Sequence, residues 1–182
     1  MTDENDAPPT EPAREADRYY GFLLILLALM SAVAPLFADA FLGWSLFLAG
    51  LLGATWLFLD RTPRGYAAAA TWTVVAFLLG VHLTFHLLLG FFPLGLVIGL
   101  SFLLMGVAEA VFGMTRYAHS RGARTVLGLA GAASGLFGVV TLIIWPQIPA
   151  WSGGTTLGLM FLALGVALEL GAAQKRAQLR AG

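Results

Sequence analysis

The stretch Ile98–Met114, which reads IGLSFLLMGVAEAVFGM, occurs in three versions along the chain. Leu42–Phe58 reads LGWSLFLAGLLGATWLF, and Leu157–Ala173 reads LGLMFLALGVALELGAA. Each version follows an apolar segment that ends at a proline. The pattern predicts one helical hairpin repeated three times. Aligned without a gap, the three stretches have glycine at the second and ninth positions: Gly43 and Gly50, Gly99 and Gly106, Gly158 and Gly165.

The composition indicates that these hairpins lie in a membrane. Of the 182 residues, 59% are hydrophobic and 11% are charged, whereas a soluble domain usually has about 25% charged residues. The apolar runs are about 20 residues long, which suits a bilayer core of roughly 30 Å. Helices are the expected spanning form, because backbone groups in lipid must be satisfied internally and no alternating barrel pattern is seen.

Six spans are expected, at about 20–37, 41–59, 66–89, 94–114, 125–144 and 151–173. They form the hairpins 20–59, 66–114 and 125–173 of one all-α transmembrane domain, residues 19–174. Residues 1–18 are acidic and rich in proline, so they are expected to be a disordered cytoplasmic tail. Residues 175–182 are expected to be a basic cytoplasmic tail.

A signal peptide is the alternative interpretation of the N-terminal part. Arg14 and Arg18 precede an apolar run, and the stretch Ala38, Asp39, Ala40 resembles a cleavage site. The repeat pattern argues against this alternative, because the apolar run belongs to the first predicted hairpin.

The basic residues predict the orientation in the membrane. All ten Lys and Arg residues lie before the first span or after the second, fourth and sixth spans, and the three opposite turns have none. The positive-inside rule therefore places both termini in the cytoplasm. The expected location is the bacterial plasma (inner) membrane. Net charge is zero, so nothing indicates nucleic acid as a partner.

The repeated glycines are expected to be helix-packing positions. Glycines seven residues apart share a helix face, and small residues let helix backbones approach closely in lipid. A hinge or a pore lining is the functional alternative. Three hairpins that each begin and end inside could close around a pseudo-threefold axis. The predicted packing residues are Gly43, Gly50, Gly99, Gly106, Gly131, Gly135, Gly158 and Gly165.

Glycines and outer-turn prolines recur through the three hairpins, at Gly21, Pro35, Gly43, Gly50, Pro93, Gly99, Gly106, Gly135, Pro146, Gly158 and Gly165. With these residues, residues 20–173 resemble the HdeD family of small bacterial inner-membrane proteins. The resemblance implies a membrane protein built of short hydrophobic repeats and associated with acid resistance and stress response. It implies no catalytic or binding motif.

Three ionisable residues within the predicted spans are candidates for chemistry. His82 and His86 are four apart on one helix face, so they are interpreted as structural, as a pH sensor or relay, or as metal ligands. The metal interpretation lacks partners, because the motif has no zincin glutamate and the chain has no cysteine. Glu109 is a relay candidate too, and its structural alternative is a protonated or interface-snorkelling acid near Arg116. Asp39 and Asp60 are expected to be hydrated at span ends.

The sequence leads to three hypotheses of function. The first is a non-catalytic, HdeD-like inner-membrane protein that supports envelope or acid stress tolerance. The second is a small transporter or proton-conducting channel that uses His82, His86 and Glu109. The third is an assembly partner or scaffold in the bilayer, with a second copy or another membrane protein as partner. No enzyme motif occurs in the sequence, and no metal or other cofactor is expected.

Overall fold

The computed structural model describes residues 11–33, 39–60, 64–85, 93–145, 147 and 150–181. These residues form six α-helices joined by short connections. The predicted all-α fold is confirmed at this level. The helices are α1 Glu11–Val33, α2 Asp39–Leu59, α3 Tyr66–Phe85, α4 Leu94–Arg116, α5 Arg121–Ile144 and α6 Ala150–Ala181.

The helix bounds agree with the predicted spans except at the ends. The prediction of a disordered tail over residues 1–18 is wrong for residues 11–18, because α1 begins at Glu11 and Asp17 is buried. Helix α5 begins four residues earlier than expected, where the Ser120 hydroxyl accepts a hydrogen bond from the Ala123 amide and caps the helix. Helix α6 continues through the predicted basic tail.

The six helices close into a ring. Each helix packs against its two neighbours in the chain, and α6 packs against α1 to complete the circle. The closest packing is between α2 and α3, α4 and α5, and α6 and α1. The two helices of each predicted hairpin also touch, but less extensively. The hairpins therefore interact most strongly across their junctions.

Glycines account for this pairing. A Cβ added at Gly50 of α2 would lie 2.6 Å from Phe77 Cα of α3, and one at Gly106 of α4 would lie 2.5 Å from the Gly131 carbonyl oxygen of α5. A Cβ at Gly165 of α6 would lie 2.7 Å from the Gly21 carbonyl oxygen of α1. Backbones this close leave no room for a side chain, as expected for helix packing in lipid.

The other predicted packing glycines lie on the same helix faces or next to them. Gly43 faces Thr84 of α3, and Gly99 faces Leu142 and Gly138 of α5. A Cβ at Gly106 would also lie 2.6 Å from the Gly135 nitrogen. Gly158 is buried in α6.

The outer surface of the ring is apolar. Large hydrophobic side chains are fully accessible there, for example Phe58 at 76%, Ile143 at 74% and Leu129 at 68% of their maximal exposure. The five helices α2 to α6 are each long and apolar enough to cross a bilayer. A surface of this kind requires lipid rather than water around it. The chain is an integral membrane protein.

Candidate functional site

Buried charges meet at one end of the ring, where α1 begins and the α2–α3 and α4–α5 connections lie. We call this the basic end. Arg116, at the end of α4, donates a hydrogen bond to the Asp60 carboxylate, and its Nη2 lies 3.5 Å from Asp17 Oδ1. Trp56 Nε1–H of α2 donates to the same Asp17 oxygen at 2.9 Å. We call Asp17, Asp60, Arg116 and Trp56 the ionic cluster.

The ionic cluster is shielded from solvent and packed on aromatic rings. The side chains of Arg116 and Asp60 are 7% and 2% exposed. The guanidinium carbon lies 5.2 Å from the Trp56 ring centroid and 6.0 Å from that of Phe112, distances at which a cation is attracted to a ring face. The cluster therefore ties α1, α2 and α4 together.

Tyr117 lies beside the ionic cluster, just after α4. Its ring packs edge-on against Phe112, with centroids 5.8 Å apart, and it touches Gly171 of α6. Burial raises the pKa of the Tyr117 hydroxyl well above its usual range. The phenol is therefore neutral and adds no charge to the two carboxylates nearby.

The expectation that Asp60 is a hydrated residue at a span end is wrong. Asp60 is 3% exposed and is bound by Arg116. The reason is that Asp60, directly after α2, and Gly65, directly before α3, both lie against the end of α4: Asp60 binds Arg116, and Gly65, at φ 79°, packs against Thr115 and Arg116. Only glycine adopts this left-handed backbone conformation readily. Asp39 is at the first position of α2, and its side chain lies outside the described part of the chain.

An axial cavity lies inside the ring, next to the ionic cluster. Its free volume is about 20 Å³, and a cavity needs about 10–15 Å³ on this measure to hold one water. Helices α1, α2, α3, α4 and α6 all contribute to its wall. The lining residues are Tyr20, Trp56, Ala68, Ala69, Trp72, Thr73, Ala108, Glu109, Phe112, Leu164 and Leu168.

Glu109 is the ionisable acid of this cavity. It is 1% exposed, and neither carboxyl oxygen has a hydrogen-bond partner among the described residues. Arg116, near which the structural alternative places this acid, does not bind it. The two residues are seven apart, about 10 Å along the helix axis, and Arg116 is bound to the two aspartates. A polar group buried in this way costs free energy unless something binds it.

The three relay candidates are not brought together in the part of the chain that the structure describes. His82 is buried in α3, but it does not line the axial cavity. His86 lies outside the described residues. Nearby on α3, the buried Thr84 hydroxyl has no hydrogen-bond partner among the described residues. Of the two candidates that the structure describes, Glu109 lines the axial cavity and His82 does not.

The residues around Glu109 suit a proton or a water molecule better than a metal. Within the described ranges, no three His, Cys, Asp or Glu residues group together, and a divalent ion needs several such ligands. The lining residues supply the Glu109 carboxyl, the hydroxyls of Tyr20 and Thr73, aromatic rings, and the Trp72 indole N–H, which has no partner among the described residues.

Sequence reasoning missed Asp17, Trp56, Arg116 and Trp72. The sequence held a signal for Asp17 and Arg116. An acid and a base at predicted span ends on the same side of the membrane are near enough to pair. The two tryptophans gave no comparable signal. Their indole N–H groups become important only through what the folded ring places beside them.

The fold and the site define an integral membrane protein with a closed helical ring, a buried ionic cluster and an unpaired acid at an axial cavity. No protein-family model matches this chain, and neither the search of curated proteins nor the search of solved structures finds a match.

Proposed function

We propose that this chain is a non-catalytic, HdeD-like protein of the bacterial inner membrane that supports tolerance of envelope or acid stress. In this proposal α1 also crosses the membrane, which brings the number of spans to six. Both termini are cytoplasmic, and the basic end of the ring faces the cytoplasm. The observation that carries the proposal is the packing of Gly50, Gly106 and Gly165. They occupy the same position in the three versions of the repeated stretch, and each meets the following helix of the ring.

A second candidate function is proton conduction or proton-coupled transport, and Glu109 favours it. In the gap-free alignment of the three stretches, Glu109 corresponds to Gly53 and Leu168. Leu168 also lines the cavity, and a Cβ on Gly53 would lie 3.1 Å from the Tyr20 hydroxyl. One version of the repeat therefore carries an acid where the others carry apolar residues. Intramembrane acids of this kind often mark proton pathways.

Survival of acid challenge tests the first proposal. A strain lacking this protein would be complemented with the wild type, with Glu109→Gln, or with Glu169→Gln. Glu169→Gln is a matched control. Glu169 is an acid of α6, and its side chain does not line the axial cavity. Membrane levels of each variant would be measured by immunoblot. We expect the wild type and Glu169→Gln to restore survival equally.

The outcome for Glu109→Gln separates the two functions. Full rescue by Glu109→Gln supports a role for the ring as a whole and argues against conduction. Loss of rescue at normal membrane levels supports a role for the carboxyl, and proton flux into liposomes then distinguishes conduction from sensing. If the wild type itself fails to rescue, the stress-tolerance proposal is wrong.

A further inference from the structure

Three unsatisfied polar atoms belong to residues that line the axial cavity. They are the two carboxyl oxygens of Glu109, on α4, and the indole Nε1 of Trp72, on α3. The first two are hydrogen-bond acceptors and the third is a donor. Trp72 is 4% exposed and Glu109 is 1% exposed, so bulk water does not satisfy either residue.

The size of the cavity matches the missing partner. A buried water typically makes about three hydrogen bonds to polar groups that would otherwise be unsatisfied. The cavity, at about 20 Å³, holds roughly one water and nothing larger. We propose that it is a binding site for one water molecule, which accepts a hydrogen bond from Trp72 Nε1–H and is hydrogen-bonded to the Glu109 carboxyl group.

The protonation of Glu109 follows from the same geometry. The cavity wall contains no Lys, Arg or His, and an ionised carboxylate without a cation is costly in such surroundings. In the neutral form, the carboxyl O–H donates to the water and the carboxyl C=O accepts. Glu109 therefore holds a proton and shares it in a hydrogen bond with the bound water. This inference rests on the second candidate function, proton conduction or proton-coupled transport, and adds a bound water to its site.

Few other titratable groups face the carboxyl from the packed helices. Tyr20 of α1 lines the cavity. From α2, Asp60 lies beyond Trp56, in the ionic cluster. Leu164 and Leu168 are what α6 contributes, and α5 contributes no lining residue.

The remaining charged groups on these helices are farther away. Asp17 and Arg116 belong to the ionic cluster, where both contact Trp56, and neither lines the cavity. On α3, His82 is ten residues from Trp72, about 15 Å along the axis. Glu169 of α6 follows Leu168 but is not part of the wall. The proton on Glu109 is thus governed by the water and the indole rather than by a neighbouring charge.

Infrared difference spectroscopy of the purified full-length protein in lipid nanodiscs tests the inference. We expect a carbonyl-stretching band of a protonated carboxyl at neutral pH, which moves to lower frequency in D₂O. Glu109→Gln should remove this band. Trp72→Phe, which keeps an aromatic ring but loses the N–H donor, should move the band to higher frequency because the water that bridges the two residues is lost.

Ser134→Ala is the matched control. Ser134 is fully buried in α5 with an unpartnered hydroxyl, but it does not line the cavity, so its removal should leave the band in place. A wild type without the band, or a Trp72→Phe variant with an unshifted band, overturns the inference.

A second measurement needs no change at Trp72, in case that variant fails to fold. In H₂¹⁸O the stretching band of an isolated water should shift in the wild type and be missing from Glu109→Leu, which has no polar side-chain atom to hold the water. An identical water spectrum in both proteins contradicts the water site. These readouts do not depend on survival or flux, so the water site and the proposed function fail separately.

Discussion

The ionic cluster and the axial cavity both contain buried carboxyl groups, but those of the cluster are paired with other side chains and that of the cavity is not paired with any described residue. In the cluster, Asp17 and Asp60 are held by one guanidinium and one indole N–H. In the cavity, Glu109 has no partner among the described residues, although Trp72 lies in the same wall with an unused N–H. The two sites share the Trp56 and Phe112 rings as a common partition.

The contrast separates a structural role from a functional one. Buried charges that are paired on several sides fasten helices together, and removing one member leaves the others uncompensated. An acid without a partner contributes nothing comparable to stability and is retained for what it binds. Substitutions that lower stability should therefore cluster at the basic end, whereas substitutions at the cavity should change function and affect stability little.

The largest effect is expected from Arg116→Met. Loss of the cation leaves Asp17 and Asp60 buried without their common partner, and breaking a buried pair costs about 3–5 kcal/mol. The free energy of unfolding in mixed micelles would be compared with that of Arg124→Met. Arg124 is exposed at the start of α5, so its change should be within about 0.5 kcal/mol. Equal stabilities of the two variants would show that the cluster does not fasten the ring.

The next largest effect is expected from Gly106→Ala. The added Cβ would lie 2.5 Å from the Gly131 carbonyl oxygen and 2.6 Å from the Gly135 nitrogen, and backbone atoms cannot move aside cheaply. Overpacking of this kind costs about 1–3 kcal/mol.

Gly128→Ala is the matched control for that substitution. A Cβ at Gly128 would meet nothing within 4 Å, so the alanine should be neutral or stabilising by up to about 1 kcal/mol. The measurement is the thermal unfolding temperature of both variants in the same detergent. A Gly106→Ala protein as stable as Gly128→Ala would mean that α4 and α5 do not pack as closely as described.

The spans could be predicted from the sequence because they depend on local composition. Apolar runs of bilayer length and the turns between them are visible in any window of about 20 residues. The pairing of helices depends instead on which glycine faces which neighbour. Gly21 and Gly165 are far apart in the chain yet meet where the ring closes, and no local pattern identifies that contact.

The sites were harder to predict than the spans. Glu109 stood out because an acid within an apolar run is costly, and the structure places it at the axial cavity. Asp17 was assigned to a disordered tail, because residues 1–18 are acidic and rich in proline. Its burial follows from Arg116, which is 99 positions later. The partner that decides whether a charge is buried or hydrated lies elsewhere in the chain.

The smallest effect, and one of opposite sign, is expected from Glu109→Leu. An apolar side chain of similar volume removes two acceptors that no group of the described protein satisfies, and Leu168 shows that leucine is accommodated at the aligned position of the third stretch. Because the change also removes one partner of the proposed water, the gain should be only about 1 kcal/mol. Asp60→Leu is the matched change in the ionic cluster and should destabilise, since it leaves Arg116 with one carboxylate fewer. If the free energy of unfolding falls by the same amount in both variants, the distinction is contradicted. Asp60 would then not stabilise the ring any more than Glu109 does.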